Sequence, residues 1–262
     1  MDKIEKDGVV FFRFASFEQT GLVAHGFSTR LGGVSQGPFE SLNLGFYYKS
    51  DAESNVLENF KRFATAVGFG YENTCFSNQV HGISIYNASV KDKGARPQDV
   101  DGYVSASPGV ALLTFHADCV PLFFIDPIKK VIALSHAGWR GTADGIALET
   151  VKTMELVYHC KPKDILAGIG PSIGPDAFEV DSPVAEYFML KRPQTQQCVT
   201  QRGQKYHINL WEVNRQVLLE CGILPEHIEV AGICTKSDPG LFFSHRAMGT
   251  QRGSMAAVIT LK

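Results

Sequence analysis

Short apolar runs of strand length, hydrophobic at nearly every position, constrain this chain more than any other feature. Val110–Phe115, Val120–Ile125 and Val131–Ser135 are the clearest of them. A strand with one solvated face alternates apolar and polar residues, because successive side chains point to opposite faces of the sheet. A strand that is apolar throughout has to be covered on both faces. Val9–Phe14, Val23–Ser28, Ile165–Ile169, Ile228–Ile233, Leu241–Ser244 and Ala256–Leu261 read as further strands. Residues 110–125 read as a strand hairpin. Hairpins beside helices, without steady strand–helix alternation, predict an α+β fold rather than a doubly wound parallel sheet. The expected form is an α/β sandwich with mixed β-sheets flanked by helices.

Helical spacing is plain in two places. Val56, Leu57, Phe60, Phe63, Ala64 and Val67 form one stripe, with Ser50 and Glu53 as a capping box and Gly68 as terminator. Leu210, Val213, Val217, Leu218 and Cys221 form the other, between Asn209 with Glu212 and Gly222. A third helix is expected from about Ala143 to His159 and a shorter one over Val184–Leu190. Lys91–Pro97 reads as an exposed loop.

Several function classes are disfavoured. With 262 residues and a net charge of −2, the chain offers no bulk attraction to nucleic acid or to an anionic membrane. Its start, Met1-Asp-Lys-Ile-Glu-Lys-Asp-Gly, lacks the apolar run of a secretory signal, and no apolar stretch approaches the roughly 20 residues that span a bilayer. A cytoplasmic protein is predicted. The six cysteines include no C-x-x-C pair, so a disulfide framework is not expected. Neither G-x-G-x-x-G nor G-x-x-x-x-G-K occurs.

Chemistry-bearing residues gather at the ends of the middle strands. Asn78-Gln-Val-His81-Gly follows one strand, His116-Ala-Asp118-Cys119-Val-Pro lies between two, and Ser135-His136-Ala-Gly-Trp-Arg140-Gly-Thr142 closes a third. Cys119 and His136 are separated by about a strand, a turn and a strand back, which can bring them together at the mouth of one hairpin. His81 can join them from a neighbouring strand end. Two imidazoles and a thiolate suit zinc, and three protein ligands leave a fourth position open, as catalytic zinc sites do. The residues leave alternatives. His116 can replace His136 as a ligand, and Cys119 followed by Val-Pro-Leu-Phe-Phe can be a core residue. Asp118 is the candidate proton-transfer group, or instead a structural acceptor on the opposite strand face.

The segments Ser28–Ser35, Ser41–Gly45, Asn78–Gly82, Ala117–Pro121, His136–Thr142, Gly170–Gly174 with Phe178-Glu-Val, and Ser244-His-Arg246 appear in order across nearly the whole chain. In this combination the chain resembles the laccase-domain, or multicopper polyphenol oxidase, family, also known as purine nucleoside phosphorylases. The resemblance implies one compact domain over residues 1–262, with zinc on His81, Cys119 and His136. It further implies phosphorolysis of adenosine, inosine and methylthioadenosine, together with adenosine deamination. Arg30, Asn43, His245 and Arg246 fall in matching motifs and are assigned to substrate or phosphate contact. The expected partners are therefore small molecules, a purine nucleoside and phosphate.

Three rival functions are set against this one. Family members also carry a peptidoglycan-editing label, which fits a cysteine amidohydrolase using Cys119 as nucleophile and His136 as base. A structural zinc module would need a fourth ligand, and none is evident. A copper-dependent polyphenol oxidase would need a further cluster of paired histidines, but the chain has eight His and no H-x-H. Copper can still bind the same N₂S set tightly.

Overall fold

The fully apolar runs are explained by four layers, in which every central strand has a packed neighbour on each face. The computed structural model describes residues 1–46 and 51–262. In chain order its elements begin with β1 (Asp2–Lys6), β2 (Val9–Arg13), α1 (Ala15–Thr20), β3 (Val23–Ser28), α2 (Glu53–Val67), β4 (Thr74–Cys75), β5 (Ile85–Asn87) and β6 (Gly102–Ser105). Then come β7 (Ala111–His116), β8 (Val120–Asp126), β9 (Val131–Ala137), α3 (Trp139–Asp144), α4 (Ile146–Tyr158) and β10 (Leu166–Ile169). The last are β11 (Glu179–Val180), α5 (Ser182–Lys191), β12 (Val199–Arg202), β13 (Lys205–Ile208), α6 (Leu210–Glu220), β14 (Ile228–Val230), α7 (His245–Met248) and β15 (Met255–Leu261).

Two six-stranded mixed sheets form the inner layers, ordered β1-β2-β3-β15-β7-β4 and β14-β10-β8-β9-β6-β5. Most pairings are antiparallel, while β4–β7, β5–β6 and β10–β14 are parallel. A small antiparallel sheet, β11-β13-β12, stands apart. The period of two decides which layer each residue joins. On β7, Leu112 enters the core between the sheets, while Ala111 and Leu113 turn towards α2. On β8, Phe123 and Ile125 face between the sheets, while Leu122 and Phe124 pack with residues of α4 and α6. Fully burying each of these large side chains contributes about 1.5–3 kcal/mol of transfer free energy. The predicted α+β sandwich of mixed sheets flanked by helices is the architecture found.

The structure corrects four local expectations. Residues 110–125 are not a hairpin: β7 belongs to the first sheet and β8 to the second. The chain crosses between sheets at Ala117–Cys119, where Asp118 adopts φ 87, and β8 pairs instead with β9. Leu241–Ser244 is not a strand. Phe242 and Phe243 are fully buried in the inter-sheet core, and the segment is held as a turn by Leu241 and Phe242 amides on the Asp238 carbonyl. The helix expected over 143–159 is broken at Gly145, whose φ of 98 ends α3 before α4 begins. The Arg192 guanidinium occupies the space a side chain there would need, while its Nε donates to the Ala143 carbonyl at 3.0 Å. The strand at 228 ends at Val230 because the next residues turn through Gly232 at φ 64. The other helices stand as read: Asn209 caps α6 by accepting from the Glu212 amide, and Gly68 ends α2 at φ 97. Ser50 of the expected capping box lies outside the described residues, and α2 starts instead from Ala52, without a side-chain cap and with Glu53 as its first residue. Among the described residues, no helix is long and apolar enough to cross a membrane.

Candidate metal centre and cavity

The β8–β9 hairpin places two of the chemistry-bearing residues side by side. Its register pairs Val120 with Ala137 and Pro121 with His136, so Cys119, just before β8, lies at the same hairpin end as His136. His81 comes from the loop between β4 and β5, where it adopts φ 61. One ligand atom from each of His81, Cys119 and His136 lies within 4.8 Å of the others. The two histidine rings stand nearly perpendicular, with centroids 4.9 Å apart. His136 is buried, Cys119 half-buried and His81 exposed, and all three line one cavity. The cluster is thus closed behind and open in front.

Asp101, fully buried, organises this cluster and was missed in the sequence. Its Oδ1 lies 2.8 Å from His136 Nδ1 and accepts from the His81 amide at 3.0 Å. Its Oδ2 accepts from the amides of Val80 (3.1 Å) and Gly82 (2.9 Å). One carboxylate therefore aims the His136 ring and fixes the loop that carries His81. Burial alone would raise the Asp101 carboxyl, but the His136 hydrogen bond and charge, with the Gly82 and Val80 amides, hold it below its ordinary value. Burial would likewise push the Cys119 thiol up, yet the charge and hydrogen bond of His136, then those of His81, bring it down to about 6. Burial opposes charge on His136, but the Cys119 thiolate and the Asp101 carboxylate raise it to about 9.

The residues fit a metal on three counts. The donor set is two imidazoles and a thiolate, and a carboxylate backs one imidazole, the usual arrangement behind a metal-bound histidine. Gly138 supplies the third, because a Cβ there would lie 2.7 Å from His81 Cδ2 and 3.5 Å from Cys119 Sγ. Only glycine leaves that space to the ligands. His116 does not join the cluster: its Nε2 meets Thr114 Oγ1 at 2.8 Å and its Nδ1 the Cys119 carbonyl at 3.0 Å. Burial, then the charge on His136, pushes its pKa well below the ordinary histidine value.

Asp101→Asn is expected to weaken metal binding by about 10–100-fold, the usual cost of removing such a backing group. Competition with a chromophoric chelator measures this, and unchanged affinity would remove Asp101 from the centre.

The cavity in front of the cluster measures about 720 Å³. Its lining adds the buried Phe178, the half-buried Arg252, and the exposed Glu179, Asp181, Arg140, His245 and Arg246, which stand at its rim. Arg246 donates from Nη1 to the carbonyls of Glu179 (2.8 Å) and Ala177 (3.3 Å), with its guanidinium 5.5 Å from the Phe178 ring centre. Of the four residues expected to contact substrate, His245 and Arg246 line this cavity. Arg30 and Asn43 are not among the described lining residues. Arg30 staples two loops, donating to the Glu40 carbonyl at 2.6 Å and the Pro239 carbonyl at 2.7 Å, over the Phe243 ring. Asn43 is fully buried, donating to Asp51 and accepting from the amides of Gly45 and Ser254. Ser254 reaches the cavity, so Asn43 supports its wall from behind.

The sequence is similar to known proteins along nearly its whole length. Residues 24–262 match the family described as multi-copper polyphenol oxidoreductase laccase. The purine nucleoside phosphorylase YlmD of Geobacillus stearothermophilus is 39% identical over 249 residues, covering 91% of this chain and 90% of that protein. The purine nucleoside phosphorylase YfiH of Escherichia coli is 36% identical over 234 residues, covering 89% and 92%. The crystal structure of YlmD from Geobacillus stearothermophilus superposes with a TM-score of 0.91 at 34% identity, over 99% of this chain and 98% of that one.

Proposed function

The chain belongs to the multi-copper polyphenol oxidoreductase laccase family, and from that premise we propose that it is a zinc-dependent purine nucleoside enzyme. Its reactions are phosphorolysis of adenosine, inosine and methylthioadenosine, and deamination of adenosine. The observation that carries this reading is the open His81–Cys119–His136 cluster at one side of a cavity whose lining includes Arg140, His245, Arg246 and Arg252. Relatives with two-thirds or more of their length in common carry the name purine nucleoside phosphorylase.

Two imidazoles and one thiolate favour zinc, with copper the competitor for the same donors. Bound zinc supplies Lewis acidity, which acidifies water and polarises a substrate atom. Asp101 keeps the Nε2 of His136 pointed at the cluster and holds the His81 loop in place. His245 and Arg246 bind phosphate at the rim, where charge-assisted hydrogen bonds offset its negative charge. Phe178 offers an apolar face to the purine. In phosphorolysis a phosphate oxygen attacks C1′ of the ribose, the C1′–N9 bond breaks, and its electron pair leaves with the protonated purine. In deamination a water oxygen bonds to C6, the C6–N bond breaks and the amino group leaves as ammonia, with no phosphate used.

One observation favours a second reading. Cys119, His136 and Asp101 align as a nucleophile, a base and a group that orients the base, which suits a cysteine amidohydrolase. Metal on the thiolate would block that chemistry, so the two readings exclude one another in the same molecule. Polyphenol oxidation has less support, since His81, Cys119 and His136 are the one group of three or more metal-binding side chains among the described residues.

The test follows adenosine by chromatography while phosphate is titrated. Adenine and ribose-1-phosphate are expected only when phosphate is present. Arg246→Ala is expected to weaken phosphate use by roughly 10–150-fold, the equivalent of losing about 1.5–3 kcal/mol of charge-assisted contact. Inosine formation should fall less. Adenine released equally fast without phosphate would overturn the phosphorylase assignment. Failure of metal-loaded protein to turn over any nucleoside would favour the amidohydrolase.

A further inference from the structure

Asp118 lies at the crossover between the two sheets, and its neighbour in the chain is the cluster residue Cys119. The backbone there has φ 87, a left-handed conformation that asparagine and aspartate tolerate better than other non-glycine residues. While Cys119 joins the metal cluster, the Asp118 carboxylate collects donors from the chain's C-terminal part. Oδ1 accepts from Thr235 Oγ1 at 2.7 Å. Oδ2 accepts from Ser244 Oγ at 2.9 Å and from the Arg246 amide at 2.7 Å. Thr235 and Ser244 are fully buried, and Asp118 is 8% exposed. The Asp118 carbonyl also accepts from the Ile173 amide at 2.9 Å.

Donors already point at both carboxylate oxygens, which ill suits a group that must deliver a proton from one of them. What the carboxylate holds is more telling. Ser244 caps the four-residue α7, whose first two residues are His245 and Arg246, both at the cavity. Arg246 in turn grips the carbonyls of Ala177 and Glu179, on either side of Phe178. The contacts form one line from Cys119 through Asp118 and α7 to the Phe178 wall. So short a helix has little stability of its own.

We propose that Asp118 is a positioning residue for the nucleoside reaction, anchoring His245, Arg246 and the Phe178 wall at a fixed distance from the metal cluster. This rests on the function proposed above, but one of its tests does not. Asp118→Asn keeps a residue suited to the left-handed backbone and replaces one acceptor oxygen with a donor group. In metal-loaded, full-length protein the metal content should stay at the wild-type level. Amide exchange over residues 244–248 should quicken about tenfold or more, the usual consequence of losing a charge-assisted hydrogen bond. KM for phosphate and nucleoside should rise about tenfold, while kcat changes less than about threefold and both limbs of the pH–rate profile remain. Thr235→Val leaves both the carboxylate and the Ser244 cap intact, and should shift exchange and KM in the same direction by a smaller factor. It also carries the test if Asp118→Asn does not fold. A large loss of kcat with unchanged KM and a missing pH limb would make Asp118 a proton donor and overturn the proposal. Unchanged exchange at 244–248 would overturn it too. Absence of nucleoside turnover in the wild type would instead overturn the proposed function, leaving the exchange result to decide the anchoring.

Discussion

Cys119→Ala and His136→Ala protein is expected to purify nearly free of metal, against about one zinc ion per chain in the wild type. A three-ligand site loses a large part of its affinity with any one donor. Here the loss is compounded because the remaining groups depend on each other. Removing Cys119 leaves His136 without the thiolate that lines up its Nε2, and removing His136 leaves Asp101 buried without its ring partner. His81→Ala is expected to behave similarly, and its exposed position makes it the least disruptive to the fold. His116→Ala is the control. Its ring nitrogens are engaged by Thr114 and the Cys119 carbonyl, so it should keep its metal while its melting temperature falls. Elemental analysis and thermal unfolding on the same samples separate the two effects. Full metal content in Cys119→Ala would remove the thiolate from the centre, and metal loss in His116→Ala alone would mean that the wrong histidine had been assigned.

What could be read from the sequence followed the distance along the chain over which each feature is decided. The pairing of Cys119 with His136 was legible because a single hairpin, β8–β9, creates it, and hairpin spacing is local. The apolar runs announced two-sided burial for the same reason: alternation along one strand is enough to show it. The partner of β7 was not legible. Its run resembles one arm of a hairpin with β8, and only Asp118 at φ 87, where the chain changes sheets, separates the two. Asp101 was overlooked because it is one carboxylate in the polar stretch Gln98-Asp-Val-Asp101-Gly, and its partners His81 and His136 lie on either side in sequence. The signal available was its place just before the four buried residues of β6, a position where a solvated aspartate is out of keeping. Motif resemblance grouped Arg30 and Asn43 with His245 and Arg246, although the structure gives the first two to loop stapling and the last two to the cavity rim. A motif marks residues that a fold needs, without separating those that shape a wall from those that face the ligand.

Metal affinity should climb with pH by about tenfold per unit across the window in which the empty cluster keeps one exchangeable proton. That window runs from about 6, where the Cys119 thiol ionises, to about 9, where His136 loses its proton. Within it the empty site holds a thiolate beside an imidazolium, whose Nδ1 faces Asp101 and whose Nε2 faces Cys119. A metal needs that Nε2 lone pair, so binding expels the proton. The sign follows directly: raising the pH removes a competitor, and lowering it restores one. Below about 6 the thiol is protonated as well, so binding must release further protons and the dependence should steepen. Above about 9 it should flatten. Chelator competition at several pH values gives the slope, and calorimetry in buffers of different ionisation heat counts the proton released. Thiolate absorbance of metal-free protein, taken as wild type minus Cys119→Ala, should titrate near 6. Cys75 and Cys160, pushed up to about 12 by burial, and Cys198 and Cys221, pushed up to about 11 by burial, remain silent there. A flat affinity profile through neutral pH, with no proton released, would show that the empty cluster is already fully deprotonated. In that event Asp101 would not be holding charge on His136. The Asp101→Asn variant checks the same link from the other side: without that carboxylate the upper edge of the window should move down in pH.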